Sequence, residues 1–215
     1  FNFSSFIREM YHSFESVADN REIRFVLDNE LPETYKVCFD EAEIEKVFFN
    51  LLSNAFKFTP SEGQVTIRVN TVTQAECELL PHFPAQYSSI LIEAGYLFIE
   101  VIDTGKGFSE QEAEKIFEPF YRSQEDIHRQ ISGTGIGLSL TRSIILQHNG
   151  CIWTESSETE GTRFMFLLPD TEKQEEGENE SPVLSKSAEI SKKFDLLVEE
   201  TQNKNKQTVF CLLYT

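Results

Sequence analysis

The chain has 215 residues, with 36 Asp and Glu against 19 Lys and Arg and a formal net charge of −17. That length supports one well-cored domain of roughly 150 residues plus a tail, and is short for two full domains. The acidic balance argues against unaided binding to nucleic acid or to an anionic membrane, which both repel it, but leaves room for a nucleotide held locally by backbone amides and a metal.

Residues 1–20 carry Phe3, Phe6, Ile7, Met10, Tyr11, Phe14 and Val17 at helical spacing, which predicts one amphipathic helix. Residues 23–27 and 35–39 read as short strands around a Leu31-Pro32-Glu33 turn. Asp40 is a good helix N-cap with Glu43 as capping-box partner, and the helix should run to Phe58, where Thr59-Pro60 stops it. Residues 65–72 and 96–102 alternate as half-buried strands. The stretch between them, 73–95, is long for a hairpin and reads as an insertion with its own short strand at 89–92. Ser109 to Glu112 is a second capping box, and 136–148 reads as a helix stopped by Asn149-Gly150. Residues 151–156 and 163–168 read as closing strands about a Glu160-Gly161 turn, and Pro169 ends the domain. The acidic, polar stretch 170–207 is expected to be a disordered linker. The apolar run 208–215 reads as the start of a truncated following domain.

Cys38, Cys77, Cys151 and Cys211 are far apart, with no Cys-x-x-Cys pair. This speaks against a disulfide scaffold or zinc site and for a reducing, cytosolic setting. No apolar run approaches the ~20 residues of a membrane span. The chain begins with Phe1 rather than Met and so reads as a piece of a longer protein. Phe is common, at 19 of 215, so a core rich in aromatic rings is expected.

Four polar signals carry chemistry. Asn50 and Asn54 lie four apart and share a helix face with Lys57 nearby, a stripe of amides and an ammonium that suits magnesium and phosphates; solvated asparagines are the plain alternative. Asp103-Thr104-Gly105-Lys106-Gly107 follows a strand, placing a carboxylate where it can accept from an adenine amino group, although most such segments are simple turns. Gly133-Thr134-Gly135-Ile136-Gly137-Leu138 leads into a helix, freeing amides to cradle phosphate; its spacing is neither a Walker loop nor a Rossmann fingerprint. Gly161-Thr162 alone reads as a hairpin turn.

Their order, with Ile116-Phe117-Glu118-Pro119-Phe120-Tyr121 in between, is more specific than any part. Residues 1–169 resemble the ATP-binding catalytic domain of sensor histidine kinases, with its N, G1, F and G2 boxes and final Gly-Thr. The resemblance implies a two-layer α/β sandwich of Bergerat type: a mixed, mostly antiparallel sheet covered on one face by helices, with a mobile ATP lid. It implies ATP and Mg2+ as ligands, Asn54 on the metal, Asn50 and Lys57 at the phosphates, and Phe58 against adenine. It further implies Asp103 at the adenine amino group, Gly105 and Gly107 shaping the pocket, and Gly133, Thr134, Gly135, Gly137 and Leu138 at the phosphates. Thr162 would support base recognition. The stretch 109–132 would be the lid, anchored by Phe117 and Phe120, with Arg122 and Arg129 as further phosphate candidates against a plain reading as solvated charge.

Related ATPases place a general-base Glu where this chain has Asn50, which points to a kinase; a pseudokinase, a serine kinase of this fold or a gyrase-like ATPase are the alternatives. The family's phosphoacceptor setting, His-Glu/Asp-x-x-x-Pro, surrounds none of His12, His82, His128 and His148. The implied partners are therefore dimerisation helices lying before Phe1 and a receiver domain or response regulator. Neither nucleic acid nor direct membrane contact is implied, and the parent protein could be membrane-anchored.

Overall fold

The computed structural model describes residues 1–88, 91, 93–122, 134–157 and 159–170. The expected linker beyond Asp170, the tail at 208–215, Gly133, Arg129 and most of the expected strand at 89–92 lie outside them.

Helix α1 (Phe3–Asn20) starts two residues later than the sequence predicts, because Asn2 is its N-cap: the Asn2 side chain accepts from the Ser5 N–H at 2.9 Å. It buries Phe3, Phe6, Ile7, Met10, Phe14 and Ala18, while Val17 stays 38% exposed. Strand β1 (Arg24–Asn29) follows. The strand expected at 35–39 does not form. That segment pairs with residues 1–3 at the entry to α1, through Phe3 N–H to Tyr35 O at 2.8 Å and Val37 N–H to Phe1 O at 3.0 Å. It gains a single bridge, Asn2 with Lys36, rather than a ladder.

Helix α2 (Glu41–Phe58) matches the expected span, with the Asp40 carboxylate accepting from Glu43 N–H at 3.1 Å. The reciprocal half of the capping box is absent. Glu43 pairs instead with Lys46 at 2.6 Å, and the Asp40 N–H is taken by His148 Nε2 at 3.3 Å. Strands β2 (Gln64–Thr73) and β3 (Gly95–Asp103) are joined by the insertion, which holds the short helix α3 (Gln74–Cys77) and a 3-10 turn at Ala85–Tyr87. Helix α4 (Gly137–Gln147) and strands β4 (Cys151–Ser157) and β5 (Gly161–Pro169) complete the domain.

The sheet order is β1-β2-β3-β5-β4, with β1 parallel to β2 and every other pair antiparallel. Alternation along the strands sends Val65, Ile67, Leu97, Ile99, Val101, Phe164, Phe166 and Leu168 into a core shared with α1, α2 and α4. Its aromatic content follows from the Phe count: Phe48 meets Phe3, Phe6 and Phe166, and Phe14 stacks on Phe56 at 5.5 Å.

Helices α1, α2 and α4 cover one face of the sheet as the resemblance implies, and the opposite face carries a second, smaller core. Tyr96, Phe98, Trp153, Met165 and Leu167 point away from the helices and form a second core with Val72, Cys77, Tyr87 and Leu91. The insertion is held down by Tyr87 OH donating to Ile152 O at 3.2 Å and Trp153 Nε1 donating to Pro81 O at 3.0 Å. Beside it, an ion-pair ladder crosses the five strands: Asp28 to Arg68 (3.0 Å), Arg68 to Glu100 (3.1 Å), Glu100 to Arg163 (3.6 Å) and Arg163 to Glu155 (3.7 Å), with His82 Nε2 2.9 Å from the Glu155 carboxylate. Among the described residues, no helix is long and apolar enough to cross a membrane.

Candidate functional site

Two clusters meet along α2. At its C-terminal end, β3 delivers Asp103, only 4% exposed and in register with Thr162 of β5. The carboxylate accepts from Gly105 N–H at 2.9 Å and from the backbone N–H of Thr162. Burial outweighs both bonds and pushes its pKa from 3.8 up to about 6, so it is ionised at neutral pH with little solvent to share the charge. The loop after it docks on the end of α2, with Lys106 N–H donating to Phe58 O at 3.3 Å. A side chain at Gly105 would press on Phe58 O at 2.6 Å, and one at Gly107 would strike the Ser157 backbone, so both glycines serve close approach.

At the middle of α2, Asn50 faces the start of α4. Its Nδ2 donates to Gly137 O at 3.3 Å and to Thr141 Oγ1 at 3.4 Å. Among the described residues, neither the Asn50 Oδ1 nor the half-buried Asn54 carboxamide makes a hydrogen bond, so two amide oxygens on one helix face are available to a cation. Lys57 is exposed, with its ammonium 4.9 Å from the ring centre of half-buried Phe58. Helix α4 opens at Gly137 with no side-chain cap, leaving backbone N–H groups for an anion. Gly135 holds φ at +72° and accepts from Phe120 N–H at 2.9 Å. Thr134 is exposed and Leu138 packs against the main core.

Of the two phenylalanines expected to anchor the lid, Phe117 packs into the domain and Phe120 does not, while residues 123–132 of the expected lid lie outside the described residues. Phe117 is 7% exposed and lies edge-on to Phe164 at 6.2 Å, with the Arg142 guanidinium 5.6 Å from its ring. Phe120 is 73% exposed, because its left-handed backbone (φ +66°) turns the ring outward. Glu112 accepts from Ser109 N–H, the reciprocal half of the expected capping box, from Ser109 Oγ–H, and from Tyr121 OH at 3.0 Å, while its own N–H donates to the Ser109 carbonyl instead of the side chain. Arg122 is half-buried.

Sequence reasoning missed Ser156 and Thr141. Ser156 lies opposite Thr162 in the β4–β5 register and touches three groups at once. Its position on the site side of β4 could have been read from alternation once the turn at Gly161 was placed. Thr141, four residues from Gly137 on α4, is fully buried.

The residues present fit a nucleotide: a buried carboxylate for a base, glycines that let backbone come close, and amide oxygens and helix N–H groups for metal and phosphate. A family model described as histidine kinase-, DNA gyrase B- and HSP90-like ATPase matches residues 39–172. The chain belongs to this family. The sensor histidine kinase WalK of Bacillus subtilis is 32% identical over 145 residues, which is 67% of this chain and 21% of WalK. The sensor kinase CckA of Brucella abortus is 36% identical over 162 residues, 75% of this chain and 16% of CckA. The chain thus spans about a fifth or less of these curated relatives. The catalytic domain of histidine kinase ThkA superposes with a TM-score of 0.62 at 28% identity, covering 81% of this chain and 96% of that domain. The fold of this HATPase member is the histidine kinase catalytic fold.

Proposed function

We propose that this HATPase domain binds ATP with Mg2+ and supplies the γ-phosphate to a histidine on separate dimerisation helices of its parent protein, in the cytoplasm, as part of two-component signalling. The observation that carries this reading is Asn50. A neutral amide, fixed by Gly137 and Thr141, stands where related ATPases hold a general base. An amide cannot take a proton from water, so the nucleophile must come from elsewhere, and an imidazole presented by a partner helix meets that need.

The division of labour follows from the two clusters. Asp103 accepts from the adenine amino group, with Thr162 beside it and Phe58 against the base. Asn50 and Asn54 turn amide oxygens toward the metal, whose charge would offset that building on the phosphates. Lys57, Arg122 and the amides of 133–138 hold the phosphate chain in line for transfer. ThkA is known in a complex with the response regulator TrrA, which supports a response regulator or receiver domain as the downstream partner here.

Titration with a fluorescent ATP analogue tests the binding half. Binding should require magnesium and should fall at least about tenfold in Asn54→Ala and Asp103→Ala, each losing one or more hydrogen bonds to a charged or buried group. Binding that survives both changes removes the site. Radiolabelled transfer from ATP to added dimerisation helices of the parent protein tests the kinase half.

A further inference from the structure

Ser156 has one hydroxyl proton and two lone pairs, and it makes three contacts. Phe108 N–H donates to its Oγ at 3.0 Å. Its Oγ–H points to Gly161 O at 3.0 Å, and a carbonyl can only accept. Its Oγ is also 3.0 Å from Thr162 Oγ1. A single assignment of protons satisfies all three contacts: Ser156 donates to Gly161, and Thr162 donates to Ser156. Thr162 therefore spends its only proton on Ser156 and offers only lone pairs to whatever lies beside Asp103. Asp103, in register with Thr162 and sharing its face of the sheet, likewise offers an acceptor there.

We infer that Ser156 is a specificity-determining positioning residue: by holding the Thr162 proton it makes the base pocket an acceptor-only edge, which prefers purines with an amino group at position 6 over those with an oxo group. This rests on the nucleotide site proposed above. An adenine amino group donates to both acceptors, whereas the 6-oxo oxygen of hypoxanthine faces lone pairs and leaves them unpaired, a mismatch with a real cost in a buried site. In Ser156→Ala the Thr162 hydroxyl is released and can turn its proton toward an oxo group.

The test is the affinity of the whole chain for ATP and for inosine triphosphate, both with magnesium. The unchanged chain should favour ATP, and Ser156→Ala should shift the ratio toward inosine triphosphate by about tenfold. Thr162→Ser, which keeps the hydroxyl and its partner, should retain the ratio, and Thr162→Val should lower it by weakening ATP alone. Should Ser156→Ala fail to fold by circular dichroism, the two Thr162 variants decide the matter. Equal weakening of both nucleotides in Ser156→Ala, or an unchanged ratio in Thr162→Val, overturns the inference, since the serine is then structural or a water that can reverse its polarity intervenes. Absence of binding by either nucleotide to the unchanged chain instead defeats the site itself, and the inference with it.

Discussion

On the helix face of the sheet, aromatic and aliphatic side chains from every strand meet α1, α2 and α4 in one continuous core, and the polar site sits at the strand ends beside it. On the opposite face, a smaller core is closed by a segment between β2 and β3, and the uncovered part is bridged by charges. The first face is set by periodic elements that the chain must form in any case. The second depends on a stretch with little regular structure, held by a few aromatic contacts and by backbone carbonyls that accept from Tyr87 and Trp153. Stability and ligand chemistry therefore concentrate on one side, and the other can be altered with less consequence for the site.

Phe48→Ala presses hardest on that contrast. Phe48 is fully buried among Phe3, Phe6 and Phe166, and the substitution should cost roughly 3–5 kcal/mol in denaturant unfolding. A loss smaller than that of Phe83→Ala, whose ring lies edge-on to Trp153 at 5.4 Å on the other face, would reverse the ranking of the two cores.

Asp103→Asn comes next and has a pH signature. The folded pKa is raised to about 6, above the unfolded value near 3.8, so the folded state holds the proton longer. Stability is fully present below about pH 4 and declines as pH rises to about 6, by roughly 2–3 kcal/mol. Asp103→Asn should flatten that decline, measured by urea titrations across pH. Binding of the ATP analogue should show the opposite trend, weakening as pH falls below about 6, because the acceptor is lost on protonation.

Tyr87→Phe removes one hydrogen bond from the insertion and leaves Ile152 O without that donor, which should cost about 1 kcal/mol with nucleotide affinity unchanged. A matching loss of affinity would show that the insertion speaks to the site. Asp28→Ala, at the exposed end of the charge ladder, should change stability by about 0.5 kcal/mol or less, and salt should erase the difference.

The helix face was largely legible in the sequence, since α1, α2, α4 and the strands announce themselves by period and by caps such as Asp40. The motifs located Asp103, Asn50 and Gly137 because chemistry ties them to residue type and spacing. What was not legible depends on contacts between distant segments. The segment 35–39 has a strand's composition but finds a partner only three residues long, and Glu43 deserts Asp40 for Lys46 while His148, over a hundred residues away, takes the vacant N–H. Phe120 reads as an anchor until its backbone turns left-handed. The insertion gave no hint that it would fold onto Trp153, because apolar residues on both faces of β3 and β5 become visible only once the sheet is assembled.

The strand order has a consequence for synthesis. Among the described residues, β5 is the last strand, lies between β3 and β4, and is the one strand with which β4 pairs. As the chain leaves a ribosome, β1, β2 and β3 can join early, but β4 must wait as an unpaired ribbon until residues 161–169 emerge. Thr162 and the partners of Asp103 arrive in that same last segment, so the base pocket is completed in the step that closes the sheet, and a chain cut short before it would carry the asparagine helix without a place for the base.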